Sequence, residues 1–360
     1  MGEEISEEYR IEQFTLEEST FSEMARLIDM AFNPQTKGGT IAFDEQTLRL
    51  MFGCPYTERD MFVRAIYIPT GETVGFTGGI PRNLSYKGIV HKFGVPTFQS
   101  VHKDHQRKGL AVQMNLKMIE VGKQLGYEGG FASYEPEAHG IDAILRVVKD
   151  HGLPMKEVLR IRQFVVRSWE VKRMAKVVPL KFIERVGLSL MQKIKPNTNP
   201  RVRVYRPEDA EQIFALMQDH VERNVLSVVR ERKEFIWYLN QPGVVCVVHE
   251  NPQKEVDGFM VAWKMNLAGF GHSEPFGWLD TVHIYRLTMP EAVDLSNMLC
   301  IAAKGQGWAG LQTPFIPYFD ATPFKKARFI FYPKKLLVNI YLLKPVDLPE
   351  TVESFYFDWR

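Results

Sequence analysis

The spacing of apolar residues changes from strand-like to helix-like between residues 98 and 123. An extended, largely apolar run ends at Val101, and a short polar turn follows from Lys103 to Lys108. After Gly109, apolar residues recur at helical spacing from Leu110 to Lys123. The pattern predicts a strand that turns through a glycine into the start of a helix.

The order of elements in residues 9–170 recurs in residues 201–345. Each half begins with a short strand and an amphipathic helix and then has a hairpin, a Phe-Gly pair and a Val-His pair. These landmarks are Tyr9–Phe14 and Arg201–Arg206, the helices from Phe21 and Pro207, the hairpins at Gly71 and Lys254, Phe93 and Phe276, and Val101 and Val282. Their shared order indicates duplication of an α+β unit with a mixed, mostly antiparallel sheet.

Composition narrows the class of protein. The chain has 360 residues, enough for two domains, and 45% hydrophobic with 24% charged residues is typical of a soluble globular protein. A net charge of +2 gives no electrostatic reason to expect nucleic-acid binding. Cys54, Cys246 and Cys300 lack metal or redox spacing, which favours buried thiols in the cytoplasm and no metal. The acidic start is unlike a signal peptide, and we expect no membrane span.

The turn before the predicted helix has the chemistry of an anion site. Backbone N–H groups at a helix start have no partner within the helix, and the helix dipole adds partial positive charge there. Gly109 and Ala111 let a phosphate approach the backbone, and Arg107 and Lys108 add cationic charge. We therefore expect a phosphate-bearing ligand at Gln106–Ala111.

Gln106, Gly109 and Ala111 match the Q/R-x-x-G-x-G/A motif, and the segment resembles motif A of the GNAT acyltransferase superfamily. In that family the loop binds the pyrophosphate of acetyl-CoA, and the sheet splays open between its fourth and fifth strands. The resemblance is strong over residues 9–170 and weaker over residues 201–345. It implies a tandem GNAT fold, as in N-myristoyltransferases and the enhanced-intracellular-survival acetyltransferases.

The second copy lacks the phosphate loop. Val282 and His283 are followed by a turn without glycine, and Pro290 opens the next helix. We therefore expect residues 1–175 to form the catalytic domain that binds acyl-CoA and residues 201–360 to form a degenerate copy. Residues 176–200 form a basic amphipathic linker helix, either packed against one domain or available for contact with an anionic membrane or an acidic substrate.

The resemblance assigns roles to specific residues. A backbone N–H near Val101 would polarise the thioester carbonyl, and Val148 occupies the position of the tyrosine that serves as general acid in many members. The residues expected to bind the cofactor are Ser100, Val101, His102, Gln106, Arg107, Lys108, Gly109, Leu110 and Ala111. Substitutes for the missing acid and candidates for the base are Tyr134, Glu135, Glu137, His139 and the C-terminal carboxylate of Arg360 on an aromatic-rich tail that we expect to dock.

These observations favour an N-acetyltransferase that uses acetyl-CoA as acyl donor and a primary amine as acceptor. Two alternatives stay open. One is an inactive acyl-CoA sensor, because the helix tyrosine is missing. The other is a longer-chain acyltransferase, because 24 Phe and 15 Met residues are enough to line an acyl tunnel. The identity of the amine and the oligomeric state are not encoded in any pattern we recognise.

Overall fold

The computed structural model describes residues 6–32, 38–136, 141–349 and 352–359. Contacts divide the chain into two compact units that exchange segments. Unit 1 comprises residues 1–35, 44–160 and 335–352, and unit 2 comprises residues 36–43, 161–334 and 353–360. The sequence-based boundaries at 175 and 200 both fall inside unit 2, because the compact units follow spatial contacts rather than the linear order of the repeat.

Unit 1 contains a mixed sheet with helices packed on it. Its strands are β1 (Tyr9–Phe14), β3 (Phe62–Tyr67), β4 (Glu72–Tyr86), β5 (Ile89–Val101), β6 (Gly129–Tyr134), the first part of β7 (Met155–Ser168) and the last part of β14 (Ile330–Leu342). Its helices are α1 (Phe21–Phe32), α2 (Glu45–Phe52), α3 (Leu110–Gln124) and α4 (Ile141–Asp150). The sheet order is β1-β3-β4-β5-β6-β14, and only the β5–β6 pairing is parallel.

Unit 2 repeats this order of strands. Its strands are β2 (Thr40–Ala42), the last part of β7, β8 (Val202–Val204), β9 (Leu226–Val229), β10 (Val244–Glu250), β11 (Val256–Gly269), β12 (His272–His283), β13 (Gly310–Pro314), the first part of β14 and β15 (Phe355–Tyr356). The sheet order is β8-β10-β11-β12-β13-β7, and only β12–β13 is parallel within that order. Each unit therefore receives its sixth strand from the other half of the chain.

Unit 2 has seven α-helices among the described residues. They are α5 (Val171–Val177), α6 (Phe182–Met191), α7 (Ala210–Leu216), α8 (Gln218–Arg223), α9 (Arg232–Leu239), α10 (Met289–Gly305) and α11 (Thr322–Lys326). The central helix of each unit packs through one apolar stripe. Met114, Met118 and Val121 of α3 are buried at spacings of four and three residues, as are Leu295, Leu299 and Ala303 of α10 at spacings of four.

The apolar stripe of α3 explains why the helix start is fixed in place. Leu110, Met114 and Met118 are buried against Val63 and Val74 of the sheet. Burying such a stripe contributes about 1.5 to 3 kcal/mol per large side chain before entropy is counted. The position of Gly109 is therefore set by core packing along the whole helix. Among the described residues, no helix combines the length and apolarity needed to cross a membrane.

Candidate functional site

The start of α3 has the geometry of an anion site. Gly109 directly precedes the helix with a φ of 75°, in the left-handed region that favours glycine. The N–H of Gln113 donates to the carbonyl of Gly109 at 3.1 Å. The N–H groups of Leu110, Ala111 and Val112 come before this bond, and the first turn carries no carboxylate. These donors and the helix dipole favour a negatively charged group in front of Gly109.

Tyr9 of β1 holds the polar turn in place. Its hydroxyl accepts a hydrogen bond from Lys108 Nζ at 2.8 Å and lies 2.9 Å from His105 Nδ1. Burial and the neighbouring Lys108 ammonium lower the pKa of His105, which favours the neutral imidazole at pH 7. The sequence offered no sign of this role, since Tyr9 and Lys108 are far apart in the chain.

The end of β5 presents backbone groups next to this turn. Gln106 Nε2 donates to the carbonyl of Val101 at 3.1 Å, which ties the turn to the strand. The N–H of His102 donates to the carbonyl of Val74 at 2.7 Å, so it is not available to a substrate. Successive N–H groups of a strand point to opposite edges, and the N–H of Val101 therefore points away from β4. Ser100 is 1% exposed and pairs with Phe76 of β4, which is contrary to the contact with the cofactor expected from the sequence.

β5 and β6 separate beside this edge. Among the described residues their pairing consists of Phe93 with Gly129 and Gly94 with Gly130, whereas β5 stays paired with β4 as far as Val101. A Cβ on Gly130 would lie 2.6 Å from the carbonyl oxygen of Gly94, so the close approach of the strands requires glycine. Beyond Gly94 no described strand pairs with this edge of β5, which is called the opened edge here.

β5 also carries a bulge on the way to its end. The register with β4 shifts between Phe76 and Gly78, and Phe98 has a φ of 54°. Bulges often occur next to active sites, where they redirect backbone and side-chain groups. The sequence could not indicate this feature, because a bulky aromatic residue is seldom found at positive φ.

An apolar crevice lies between α3 and α4 in unit 1. It has an empty volume of about 330 Å³, part of which is open to solvent. Its lining consists of Met61, Asn115, Met118, Ile119, Ile144, Val148, Tyr341 and Leu343. Val148, which the sequence resemblance aligns with the tyrosine of many GNAT proteins, is 5% exposed and lines this crevice. Asn115 Nδ2 is buried there without a hydrogen-bond partner among the described residues.

Tyr134 lies at the end of β6, on the opened side of the sheet. Its hydroxyl accepts a hydrogen bond from Asn339 Nδ2 on β14. Burial and the Glu157 carboxylate raise the pKa of Tyr134, so its phenol keeps its proton at pH 7. Glu135 is exposed beside it. The other predicted groups, Glu137, His139 and the Arg360 carboxylate, lie outside the described residues.

The aromatic tail packs within unit 2. Phe355, Tyr356 and Phe357 are at most 2% exposed, and β15 pairs with β9 in parallel. Asp358 forms an ion pair with Arg230, which also contacts Glu234 at 3.1 Å. The backbone N–H of Trp359 donates to Asp280 at 2.8 Å. The tail is therefore held by a buried charge cluster, defined here as Arg230, Glu234, Asp280 and Asp358.

The corresponding helix start in unit 2 is closed. Thr288 precedes α10, and the Glu291 carboxylate accepts from its N–H at 2.9 Å and from its hydroxyl at 2.7 Å. Pro290 removes one N–H donor from the first turn. A carboxylate at this position would repel an anion, whereas the first turn of α3 carries no carboxylate. The contrast follows the sequence-based distinction between the two copies.

Both units have the repeated sheet order of the GNAT fold, and unit 1 also has the opened edge between the fourth and fifth strands and the glycine-led helix start. The predicted fold class, α+β with two mixed, mostly antiparallel sheets, is confirmed. The expected GNAT resemblance is confirmed as well.

Solved structures share this fold over nearly the whole chain. One structure of Saccharomyces cerevisiae N-myristoyltransferase with bound myristoyl-CoA has a TM-score of 0.74 and 14% identity, covering 96% of this chain and 87% of that one. A second has a TM-score of 0.75 and 14% identity, covering 98% and 85%. A probable N-acyltransferase from Enterococcus faecalis V583 has a TM-score of 0.52 and 9% identity, covering 93% and 73%. No protein-family model matches the sequence, and no curated protein sequence matches it significantly.

Proposed function

We propose that this protein is a CoA-dependent N-acyltransferase whose donor site is the start of α3 in unit 1. The observation that carries the proposal is Gly109 at positive φ in front of helix N–H groups, beside the opened edge of β5. This arrangement suits the pyrophosphate of CoA, with the thioester arm lying along the separated strands. The solved structures with this fold that contain myristoyl-CoA support the same class of donor.

The transfer is a direct attack of an amine on the thioester. The amine nitrogen bonds to the carbonyl carbon, the C–S bond breaks, and an amide and a CoA thiolate form. The N–H of Val101 points to the opened edge and would stabilise the negative charge on the carbonyl oxygen. The Tyr134 phenol, protonated at pH 7, would donate a proton to the thiolate.

Four groups are candidates for the base that takes the amine proton. Glu135 is exposed and directly follows Tyr134, the last residue of β6. Glu137, His139 and the Arg360 carboxylate remain predictions from the sequence. Glu135→Gln, Glu137→Gln and His139→Gln are made one at a time, and their turnover numbers are compared with that of the parent. Adding two residues after Arg360 tests the carboxylate, since the tail anchor stays and the carboxylate moves.

Two acyl donors compete in this proposal. Acetyl-CoA is the donor that the loop motif suggests. A longer acyl chain is favoured by the crevice between α3 and α4, whose lining is mostly aliphatic, and by the myristoyl-CoA in the similar structures. Competition between acetyl-CoA and palmitoyl-CoA for the purified protein decides between them. If the crevice holds the acyl chain, palmitoyl-CoA should displace acetyl-CoA. Ile144→Trp should then reduce the binding of palmitoyl-CoA and not that of acetyl-CoA.

An inactive acyl-CoA sensor is distinguished by turnover. Release of free CoA is measured with acetyl-CoA and with palmitoyl-CoA against a panel of primary amines and amino-terminal peptides. The proposal expects amine-dependent release that Gly109→Leu abolishes. Binding of acyl-CoA without amine-dependent release by any member of the panel would favour the sensor.

A further inference from the structure

Helix α6 has an apolar face that the described residues leave exposed to solvent. Phe182 and Ile183 are each 81% exposed, Val186 is 46% exposed and Leu190 is 76% exposed. At 100° per residue these four side chains lie within one arc of the helix. None of the ten residues of α6 is buried, so the described residues do not cover its apolar arc.

The helix is nevertheless fixed with this face outward. The buried guanidinium of Arg167 donates to the carbonyls of Met191 and Lys193, which anchors the end of α6. The partly exposed Leu188 and Met191 lie on the other side of the helix. At its start, the N–H of Lys181 donates to the Glu184 carboxylate at 2.7 Å. An anchored helix that presents its apolar arc to solvent has the form of a docking element.

Basic residues precede and follow the apolar face along the chain. Between residues 170 and 195 the chain has seven Lys or Arg residues and two Glu residues, an excess of +5 in a protein whose net charge is +2. Most of these cations are exposed, namely Lys172, Lys176, Lys181, Arg185, Lys193 and Lys195. Phe270 is 58% exposed. Its ring and the carbonyl of Val177, the last residue of α5, both lie close to Gly38, so Phe270 lies beside the end of α5.

We propose that this basic apolar surface docks on a membrane surface that contains anionic lipids. Apolar side chains on one face of a surface helix insert at the level of the lipid headgroups, and nearby Lys and Arg bind anionic headgroups. A second copy of this chain fits poorly, since a symmetric contact would bring two faces of the same positive charge together. A groove in a partner protein would need only the apolar arc of α6, whereas a lipid surface also uses the exposed cations that precede and follow the helix in the chain.

Vesicle flotation tests the proposal with the full chain and needs no catalytic activity. The chain is mixed with phosphatidylcholine vesicles that contain either no anionic lipid or about a third phosphatidylserine. The parent is expected to bind the anionic vesicles and to be released as salt screens the charges. Phe182→Ser with Leu190→Ser is expected to lower the partition coefficient at least about tenfold. Both side chains are exposed, so the variant should keep the parent's melting temperature.

Two control variants separate lipid insertion from general effects. Ile89→Ser with Val90→Ser removes apolar side chains that are 61% and 54% exposed in the β4–β5 hairpin, and it should bind like the parent. Lys181→Glu with Lys193→Glu should lose the preference for anionic vesicles. A dye on Ile183→Cys should shift to the blue only with anionic vesicles, since the native cysteines are buried.

Either of two results would overturn the proposal. One is unchanged vesicle binding by Phe182→Ser with Leu190→Ser. The other is a parent chain that binds neither kind of vesicle. Sedimentation would then show whether the α6 face instead joins two copies or holds an acidic protein.

Discussion

At the scale of single residues, the proposed donor site depends on the backbone of Gly109. Its φ of 75° strains any other residue, and a Cβ would also keep a phosphate from the helix N–H groups. We expect Gly109→Ala to weaken CoA binding at least about tenfold, which corresponds to about 1.4 kcal/mol. Calorimetric titration with CoA measures the effect.

A matched control for this variant exists at the other end of the same helix. Gly126 has a φ of 79°, and no atom lies within 4 Å of the point that a Cβ would occupy there, so Gly126→Ala carries similar backbone strain away from the loop. Both variants should melt at lower temperature, and only Gly109→Ala should lose CoA affinity. Equal affinity losses in the two variants would show that strain, and not the loop, controls binding.

Tyr134 is expected to act as the proton donor to the leaving thiolate. Tyr134→Phe keeps the ring and removes the hydroxyl that Asn339 contacts. The turnover number should fall about 10²-fold while the KM for acyl-CoA stays near that of the parent. Loss of the alkaline limb from the pH–rate profile would mark a proton-transfer role. A variant that turns over like the parent would mean that the thiolate leaves unaided.

Asp280 makes the stability of unit 2 depend on pH. Burial and the Asp358 carboxylate raise the pKa of Asp280 to about 7 from an ordinary value of 3.8. Stability that depends on the protonated Asp280 is fully present below pH 3.8 and is lost as the pH rises through about 7. Asp280→Asn can still accept from Trp359 and should gain stability relative to the parent as the pH rises.

The variant must be compared with the parent because buried histidines change the stability of unit 2 with pH in the direction opposite to Asp280. Burial lowers the pKa of His220 and of His283 below 6.5, so their contribution is lost as the pH falls below that value. Denaturant unfolding between pH 5 and pH 8 measures the difference between Asp280→Asn and the parent. Asp347→Asn, with its side chain 87% exposed, should show no such trend.

At the scale of elements, α3 and α10 occupy equivalent positions but offer different helix starts. The Glu291 carboxylate and Pro290 close the start of α10, whereas the start of α3 has glycine and no carboxylate. We therefore expect one CoA per chain in a calorimetric titration. A stoichiometry of two would contradict this interpretation. Since Thr288→Ala removes the cap, that variant should lose about 1 kcal/mol of stability and still bind one CoA.

At the scale of the whole molecule, the tail is part of the core of unit 2. Asp358→Ala would leave the guanidinium of Arg230, which is 2% exposed, without one of its two carboxylate partners. We expect a loss of about 3 kcal/mol in the free energy of unfolding. Denaturant unfolding measures it, and Glu353→Ala, an exposed position in the same tail, serves as control. A loss below about 0.5 kcal/mol would contradict the role assigned to the cluster.

The sequence by itself determined the strand–turn–helix around Gly109, the repeated order of elements and the difference between the two helix starts. These features depend on local spacing, glycine and proline, whose effects act within a few residues. Only the tertiary structure decided the contact of Tyr9 with Lys108, the bulge at Phe98 and the opening beyond Gly130. It also exchanged the sixth strands of the two units and turned the apolar face of α6 outward. Each of these results from packing between segments distant in the chain, which no local pattern encodes.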